Sequence, residues 1–239
     1  MSVSGFSRLL LATVCAGWTV GCGSDSPEPA QPSGPVLMTL DRAAVIAALD
    51  YWQAAVGLTY VIKGDSSTPR LLIRPGTDGL AVQGGGRGGP DGTYPEDNQL
   101  SSGLVVFEPG GGQWCQATAS LSCRYLYRHE IGHALGFFGH SGLPLSLMQS
   151  GSDQLAARER EMILTLYTLP HGTQVAEDGS WRVPQTGQSG TINAQVAQDI
   201  IAWNITASGG ASFRRRDSIS RWQLPVQVYL INQWQLKGD

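Results

Sequence analysis

Three of the four histidines in this chain lie close together, between His129 and His140. In the stretch HEIGH, residues 129–133, a spacing of four places His129 and His133 on one face of a helix, about one turn apart, so that two ring nitrogens can reach one metal ion. Glu130 is then displaced around the helix toward the open coordination position. A zinc ion lowers the pKa of its bound water toward about 7, and a neighbouring carboxylate can take the proton as hydroxide attacks a carbonyl. The motif therefore predicts metal-assisted hydrolysis of an amide bond, with Glu130 as the general base.

The residues that follow His133 point to a third metal ligand. Gly136 stands three places later, where a helix must break sharply to bring a later residue back to the metal, and glycine tolerates the left-handed conformation that such a break needs. His140 is the residue brought back. Three histidines in so short a window favour a metal site over an ordinary core or surface, so we predict one zinc ion held by His129, His133 and His140.

The elements that must position this motif are predicted from hydrophobic spacing. Apolar residues that recur at three and four indicate helices, and short apolar or β-branched runs bounded by Gly, Pro and Asp indicate strands. The motif lies on a predicted helix over residues 123–138, and the order of elements indicates an α+β domain. The other predicted helices cover residues 39–56, ending at Gly57, 154–167 and 192–203, and the predicted strands cover residues 58–62, 70–74, 103–107 and 226–231.

A glycine-rich stretch over residues 84–92 separates two of these strands. No Lys-Ser or Lys-Thr pair follows the glycines, so the stretch does not match a phosphate-binding loop, and we predict a surface loop. Calcium ligation by Asp91, Glu96 or Asp97 is conceivable from their carboxylates but is unsupported, and a solvated turn is the simpler interpretation.

The amino terminus is typical of an exported protein. Arg8 precedes an apolar run over residues 9–20, which is too short to span a bilayer and resembles the core of a signal peptide covering residues 1–21. The run ends in a sequence that resembles a bacterial lipobox, which would leave Cys22 as a lipid-bearing first residue, although ordinary cleavage nearby stays open. Residues 22–36 are rich in Ser, Pro and Gly, as in a flexible tether. We therefore expect a cell-envelope lipoprotein or a secreted protein.

The remaining cysteines and the overall charge limit the partners. Cys15 leaves with the leader, so Cys115 and Cys123 remain as a pair in an oxidising compartment, and a disulfide between them is the simplest interpretation. A formal net charge of -3 gives no reason to expect nucleic acid as a partner. We expect a monomer that binds a protein or peptide substrate and meets a membrane only through lipid on Cys22.

The stretch HEIGHALGFFGH, residues 129–140, together with Ser141 and Met148, resembles the metzincin superfamily of zinc peptidases, most closely its matrixin-like bacterial members. The resemblance implies that the three histidines bind zinc, that Glu130 is the general base and acid, and that Met148 forms a Met-turn, a hydrophobic floor under the metal. It also implies a mixed, mostly parallel sheet whose edge strand binds substrate in extended form, an active-site helix, and a closing helix after the Met-turn. The similarity covers roughly residues 39–169, but only the zinc motif is specific.

The sequence departs from the family pattern in the spacing of the third histidine. The usual third ligand stands three residues after the glycine, where this chain has Gly139, and His140 follows one residue later. A carboxylate from the following helix, Glu159 or Glu161, stays open as the alternative ligand. No tyrosine closely follows Met148, so the transition-state donor of some families has no counterpart.

Together these features predict a signal peptide (1–21), a tether (22–36), a zinc peptidase core (37–170) and a carboxy-terminal extension (171–239). The predicted function is a zinc-dependent endopeptidase, and the alternative is a non-catalytic, zinc-containing surface-binding lipoprotein. Glu130 favours the enzyme, because a structural site needs no carboxylate beside an open position. The alternating strand at residues 226–231 could also take the place of a missing first strand in the catalytic sheet, as in a circular permutation; the other interpretation is an appended subdomain.

Overall fold

The computed structural model describes residues 37–76, 86–107, 121–207, 217–231 and 233–235. These residues belong to one compact unit of the chain. The predictions for the signal peptide, the Cys22 lipid, the tether and Cys115 lie outside the described residues, as does the side chain of Cys123. Within the described ranges, no helix combines the length and the apolar character needed to cross a membrane.

A five-stranded, mostly parallel sheet forms the centre of this unit. Its strands are β2 (Tyr60–Ile62), β3 (Arg70–Pro75), β4 (Gly86–Thr93), β5 (Leu100–Phe107) and β9 (Val226–Leu230). Their spatial order is β2, β9, β3, β5, β4, and every neighbouring pair is parallel except β4 with β5. A mostly parallel sheet, as the resemblance implied, is therefore present.

The carboxy-terminal strand β9 lies inside this sheet, between β2 and β3. Val228 is opposite Leu71 in β3, and Val226 is opposite Tyr60 in β2. Val226 and Val228 are buried on one face, as the alternating pattern of this segment predicted. The segment after residue 170 thus contributes a strand to the same sheet as β3 and β5.

The prediction of a surface loop over residues 84–92 is wrong for its described part. Residues Gly86–Thr93 form β4, the antiparallel edge strand paired with β5. A segment rich in glycine and proline shows no alternation of apolar and polar side chains, so the pattern that identifies a strand is missing here. The strand forms here because β5 supplies its backbone hydrogen bonds and because glycines allow it to lie close against the motif helix.

The described residues contain four α-helices, which lie close to the predicted positions. They are α1 (Arg42–Val56), α2 (Leu121–Leu135), α3 (Ala157–Thr168) and α4 (Ala194–Ile200), the last continued by a π-helical turn (Ile201–Ile205). The Asp41 side chain caps α1 by accepting a hydrogen bond from Ala44 N–H at 3.0 Å, and Gly57 ends it at a φ of 70°. Gly57 was the predicted end of this helix.

Two buried tryptophans fix the motif helix α2 to its surroundings. Trp52 of α1 donates its indole N–H to the Arg128 carbonyl at 2.9 Å, and Trp222 donates to the Ala134 carbonyl at 2.8 Å. Both indoles are almost fully buried, so each bond satisfies a donor that burial would otherwise leave unpaired. Trp222 leads into β9, and the carboxy-terminal segment therefore packs on the motif helix as well as on the sheet.

The remaining strands form two small sheets outside the central one. β1 (Leu37–Thr39) pairs antiparallel with β10 (Gln233–Gln235). β6 (Gln174–Val175), β7 (Ser180–Arg182) and β8 (Ser189–Thr191) form a three-stranded antiparallel sheet between α3 and α4 in the chain.

Candidate metal centre

The motif helix α2 ends where the sequence predicted a break. Its last residue is Leu135, and Gly136 follows with a φ of 136°. A side chain at this position would be strained, and its Cβ would also lie 2.9 Å from a Leu166 methyl group. Glycine therefore permits the turn that leads the chain from the helix back toward His140.

The turn brings the three predicted ligands together. One nitrogen atom from each of His129, His133 and His140 lies within 4.8 Å of the others, close enough for all three to bind one metal ion. The ring centroids are 4.6 Å apart for His129 and His133, 5.0 Å for His133 and His140, and 5.2 Å for His129 and His140. His129 is buried, whereas His140 lies at the surface.

The hydrogen bonds of the two helical histidines fix which nitrogens face each other. His129 Nδ1 lies 2.6 Å from the Leu147 carbonyl, and His133 Nδ1 lies 2.5 Å from the Phe137 carbonyl. A carbonyl only accepts, so each Nδ1 carries the proton and each Nε2 carries a lone pair. The two Nε2 atoms are 3.0 Å apart. Two lone pairs directed at one point form an arrangement that a cation stabilises, and neutral imidazole held by Nδ1–H is the usual form of a metal-binding histidine.

Burial also keeps these two rings neutral. It lowers the pKa of His129 to about 4, and burial together with the neighbouring His129 lowers the pKa of His133 to about 3. Both rings are therefore neutral at neutral pH, each with one N–H and one lone pair, as a metal-binding histidine must be.

Glu130 is buried between the motif helix and strand β4. Desolvation raises the pKa of its carboxyl group to about 7, and a hydrogen bond from the Gly88 N–H acts in the opposite direction. A carboxyl group with a pKa near neutrality can both take and return a proton. The raised pKa of Glu130 is compatible with the general-base role that the sequence predicts.

Two glycines explain how β4 can lie so close to Glu130. A Cβ added at Gly88 would lie 1.7 Å from the Glu130 carbonyl oxygen, and one added at Gly86 would lie 2.8 Å from Glu130 Cγ. Both residues therefore face α2, as residues two apart on a strand do. The composition of the stretch did not reveal this role, although glycine at alternate positions is a signal that a strand approaches another backbone closely.

Met148 is fully buried beneath the motif helix. A Cβ at Gly132, the residue before His133, would lie 2.6 Å from Met148 Sδ and 2.6 Å from Trp52 Cζ2. The Ser141 N–H donates to the Met148 carbonyl at 3.0 Å, which closes the loop between the third histidine and the methionine. Met148 therefore belongs to the apolar packing against the motif helix.

Neither of the two alternative carboxylate ligands lies with the three histidines. Glu159 is fully buried, and its Oε1 accepts from the Ser141 hydroxyl at 2.5 Å and the Met148 N–H at 3.1 Å, while its Oε2 accepts from the Ala156 N–H at 2.9 Å. Glu161 is exposed on the same helix. Neither belongs to the group of potential ligands, which consists of the three histidines.

The described residues contain no second group of three potential ligands close enough for one metal ion. Asp91, Glu96 and Asp97, which could have bound calcium, form no such group, and Asp97 instead accepts a hydrogen bond from the Gln99 N–H at 3.0 Å. Comparison with protein-family models, curated proteins and solved structures finds no match for this chain. The inference to function therefore depends on the geometry of the histidine site itself.

Proposed function

We propose that this chain is a zinc-dependent endopeptidase of the kind that the metzincin resemblance implies. The observation that carries the proposal is the group of three histidines. The Nε2 atoms of His129 and His133, each with a lone pair, are 3.0 Å apart, and His140 is the third member of the group. Nitrogen donors in a group of three are typical of catalytic zinc sites, in which a fourth position stays available for water or substrate. The donor set thus fits zinc and leaves room for chemistry.

Each residue of the site has a distinct role in peptide hydrolysis. Zinc would supply a Lewis acid that polarises the scissile carbonyl and acidifies water. Glu130 takes a proton from the attacking water and returns it to the leaving amine, which its pKa of about 7 allows near neutral pH. The backbone carbonyls of Leu147 and Phe137 hold the imidazoles of His129 and His133 in the tautomer whose Nε2 can bind metal.

Strand β4 is the favoured place for an extended substrate. It is one of the two edge strands of the central sheet, with β5 as its partner among the described strands, and it packs directly on the motif helix at Glu130. A peptide added to such an edge forms main-chain hydrogen bonds largely independent of its side chains. This placement supports a protein or peptide substrate.

The test is a comparison of wild type with Glu130→Ala for zinc content and for cleavage of a broad peptide library. Loss of the base should lower the cleavage rate by on the order of 10²- to 10⁴-fold while zinc remains bound. Undiminished cleavage by the variant would exclude the mechanism. A wild type that binds zinc but cleaves nothing would favour the non-catalytic surface lipoprotein.

We also propose that the protein is exported and carries lipid on Cys22, with Cys115 and Cys123 joined. This proposal rests on the leader, on the lipobox-like sequence, and on the two cysteines that remain once Cys15 and Cys22 are accounted for. Intact-mass analysis of protein from a bacterial host tests both points. Free thiols at Cys115 and Cys123, or a mature terminus other than a modified Cys22, would contradict them.

A further inference from the structure

The loop between Gly136 and His140 is held by the carboxy-terminal segment, although the two are far apart in sequence. The carbonyl of Trp203, in the π-helical turn, accepts from the Phe138 N–H at 2.8 Å and the Gly139 N–H at 3.2 Å. Carbonyls in the last turn of a helix have no partner within it, so this one is available to another segment. Two successive amides next to His140 are therefore fixed by one acceptor outside the predicted peptidase core.

The neighbouring Asn204 holds the start of the same loop. Its side-chain amide donates to the Gly136 carbonyl at 2.8 Å and to the Ser220 carbonyl at 2.8 Å, while its Oδ1 accepts from the Ser220 N–H at 2.9 Å. Asn204 is fully buried, so a lost bond would leave a buried polar group unpaired. One side chain thus connects the glycine break of the motif to the segment that leads into β9.

The π-helical turn is itself fixed in place. The Trp203 ring stacks on Phe137 with centroids 6.2 Å apart. Arg158 of α3 forms an ion pair with the buried Asp199 of α4, immediately before the turn. These contacts hold the turn in place from two sides, and π-helical turns are frequent near functional sites.

Gly139, the residue that displaces His140 from the usual spacing, packs against the end of this turn. A Cβ at Gly139 would lie 2.8 Å from Ala207 Cβ. The φ of Gly139 does not lie in the left-handed region, so it is space and not backbone strain that favours glycine here.

We infer that the π-helical turn Ile201–Ile205 is the positioning element for the third metal ligand, with Asn204 as its positioning residue and Gly139 as the contact that accommodates the longer spacing. This inference rests on the proposed function, because it assumes that His140 binds the metal. The carboxy-terminal segment would then complete the metal site as well as the sheet.

The first test compares Asn204→Asp with Asn98→Asp in the full chain. Aspartate keeps the size of asparagine but removes the donating N–H groups. Asn98 is an equally buried amide that donates to the carbonyls of Ser218 and Ile219 and to the Ser220 hydroxyl at 2.6 Å. Both changes therefore disturb the segment around Ser220, whereas the bond to the Gly136 carbonyl belongs to Asn204. Thermal unfolding of the metal-free proteins measures the structural cost of each change, and chelator competition measures zinc affinity.

Both variants should lose stability, but only Asn204→Asp should weaken zinc binding, by about 10- to 100-fold. The visible absorption of the cobalt-substituted protein should change only in that variant, because the bands report ligand geometry. Equal zinc affinities and equal cobalt spectra for the two variants would overturn the inference.

The second test needs no buried polar change. Gly139→Ala should weaken zinc binding, because the added methyl group meets Ala207, and the double change Gly139→Ala with Ala207→Gly should restore it by opening the space. Wild-type zinc affinity in Gly139→Ala, or no recovery in the double variant, would overturn the inference even if Asn204→Asp failed to fold. A wild type that binds zinc without cleaving peptides would overturn the proposed function alone, and one that binds no zinc would overturn both.

Discussion

Gly88→Ala is expected to separate strand β4 from the motif helix. The added Cβ would lie 1.7 Å from the Glu130 carbonyl oxygen, 2.6 Å from its carbonyl carbon and 3.0 Å from its Cα. Non-bonded heavy atoms are comfortable at about 3.5 Å, so the strand must retreat by about 1.8 Å. The obstacle is backbone and not a flexible side chain, which places the cost at the upper end of the overpacking range, about 3 kcal/mol.

The same displacement should impair Glu130. The Gly88 N–H that donates to its carboxylate moves away with the strand, and a misplacement of about 1 Å at a reacting group costs on the order of 10²-fold in rate. Unfolding in urea measures the loss of stability, and kcat/KM with a peptide substrate measures the loss of activity. Zinc content should be retained, since the histidines do not lie on this strand.

Gly89→Ala is the matched control for this prediction. It lies one residue along the same strand, and a Cβ there would have no atom within 4 Å. Neither glycine has a left-handed φ, so alanine reduces unfolded-chain entropy equally at both positions. We expect Gly89→Ala to remain within about 0.5 kcal/mol of wild type. Equal stability and activity of the two variants would refute the close approach of β4 to α2.

Three further outcomes are expected. His140→Ala should weaken zinc binding, measured by chelator competition, far more than Glu159→Ala. Loss of a metal ligand costs more than loss of a residue that supports a ligand, which lowers metal affinity by about 10- to 100-fold. The reverse ranking would make the carboxylate the ligand. Glu161→Ala, an exposed change on the same helix, should leave zinc affinity unaltered. Deletion of residues 220–239 removes β9 from between β2 and β3 and should therefore unfold the protein, which circular dichroism would detect. A truncated protein that stays folded and active would contradict this expectation.

The local sequence predicted the parts of the fold that short-range chemistry controls. Helix α1 has a side-chain cap at one end and Gly57 at the other, and both ends depend only on residues that are close in sequence. The i, i+4 spacing of His129 and His133 places both rings on one helix face whatever the helix packs against. Alternation along residues 226–231 likewise predicted a strand with one buried face.

The position of the third histidine of the candidate metal site depends on long-range contacts, which set the direction of the chain after Gly136. The sequence predicted that a break would occur there, because glycine alone suits the required φ, but not what holds the new direction. The acceptors and donors that hold it belong to Trp203 and Asn204, more than 60 residues later. Nothing in the local pattern of either segment indicates that they meet.

Strand β4 shows most plainly what only the tertiary structure decided. Alternating hydrophobic side chains predict a strand when one face must be buried, and residues 86–92 are four glycines, an arginine, a proline and an aspartate, which show no such alternation. Backbone pairing with β5 and close approach to α2 make them a strand, and both depend on neighbours that the sequence does not place side by side. The sequence by itself determined the types of the candidate ligands, their spacing and the helix that carries two of them. The approach of β4 to Glu130 and the support behind His140 come from contacts between distant segments, which only the packed fold brings within hydrogen-bonding range.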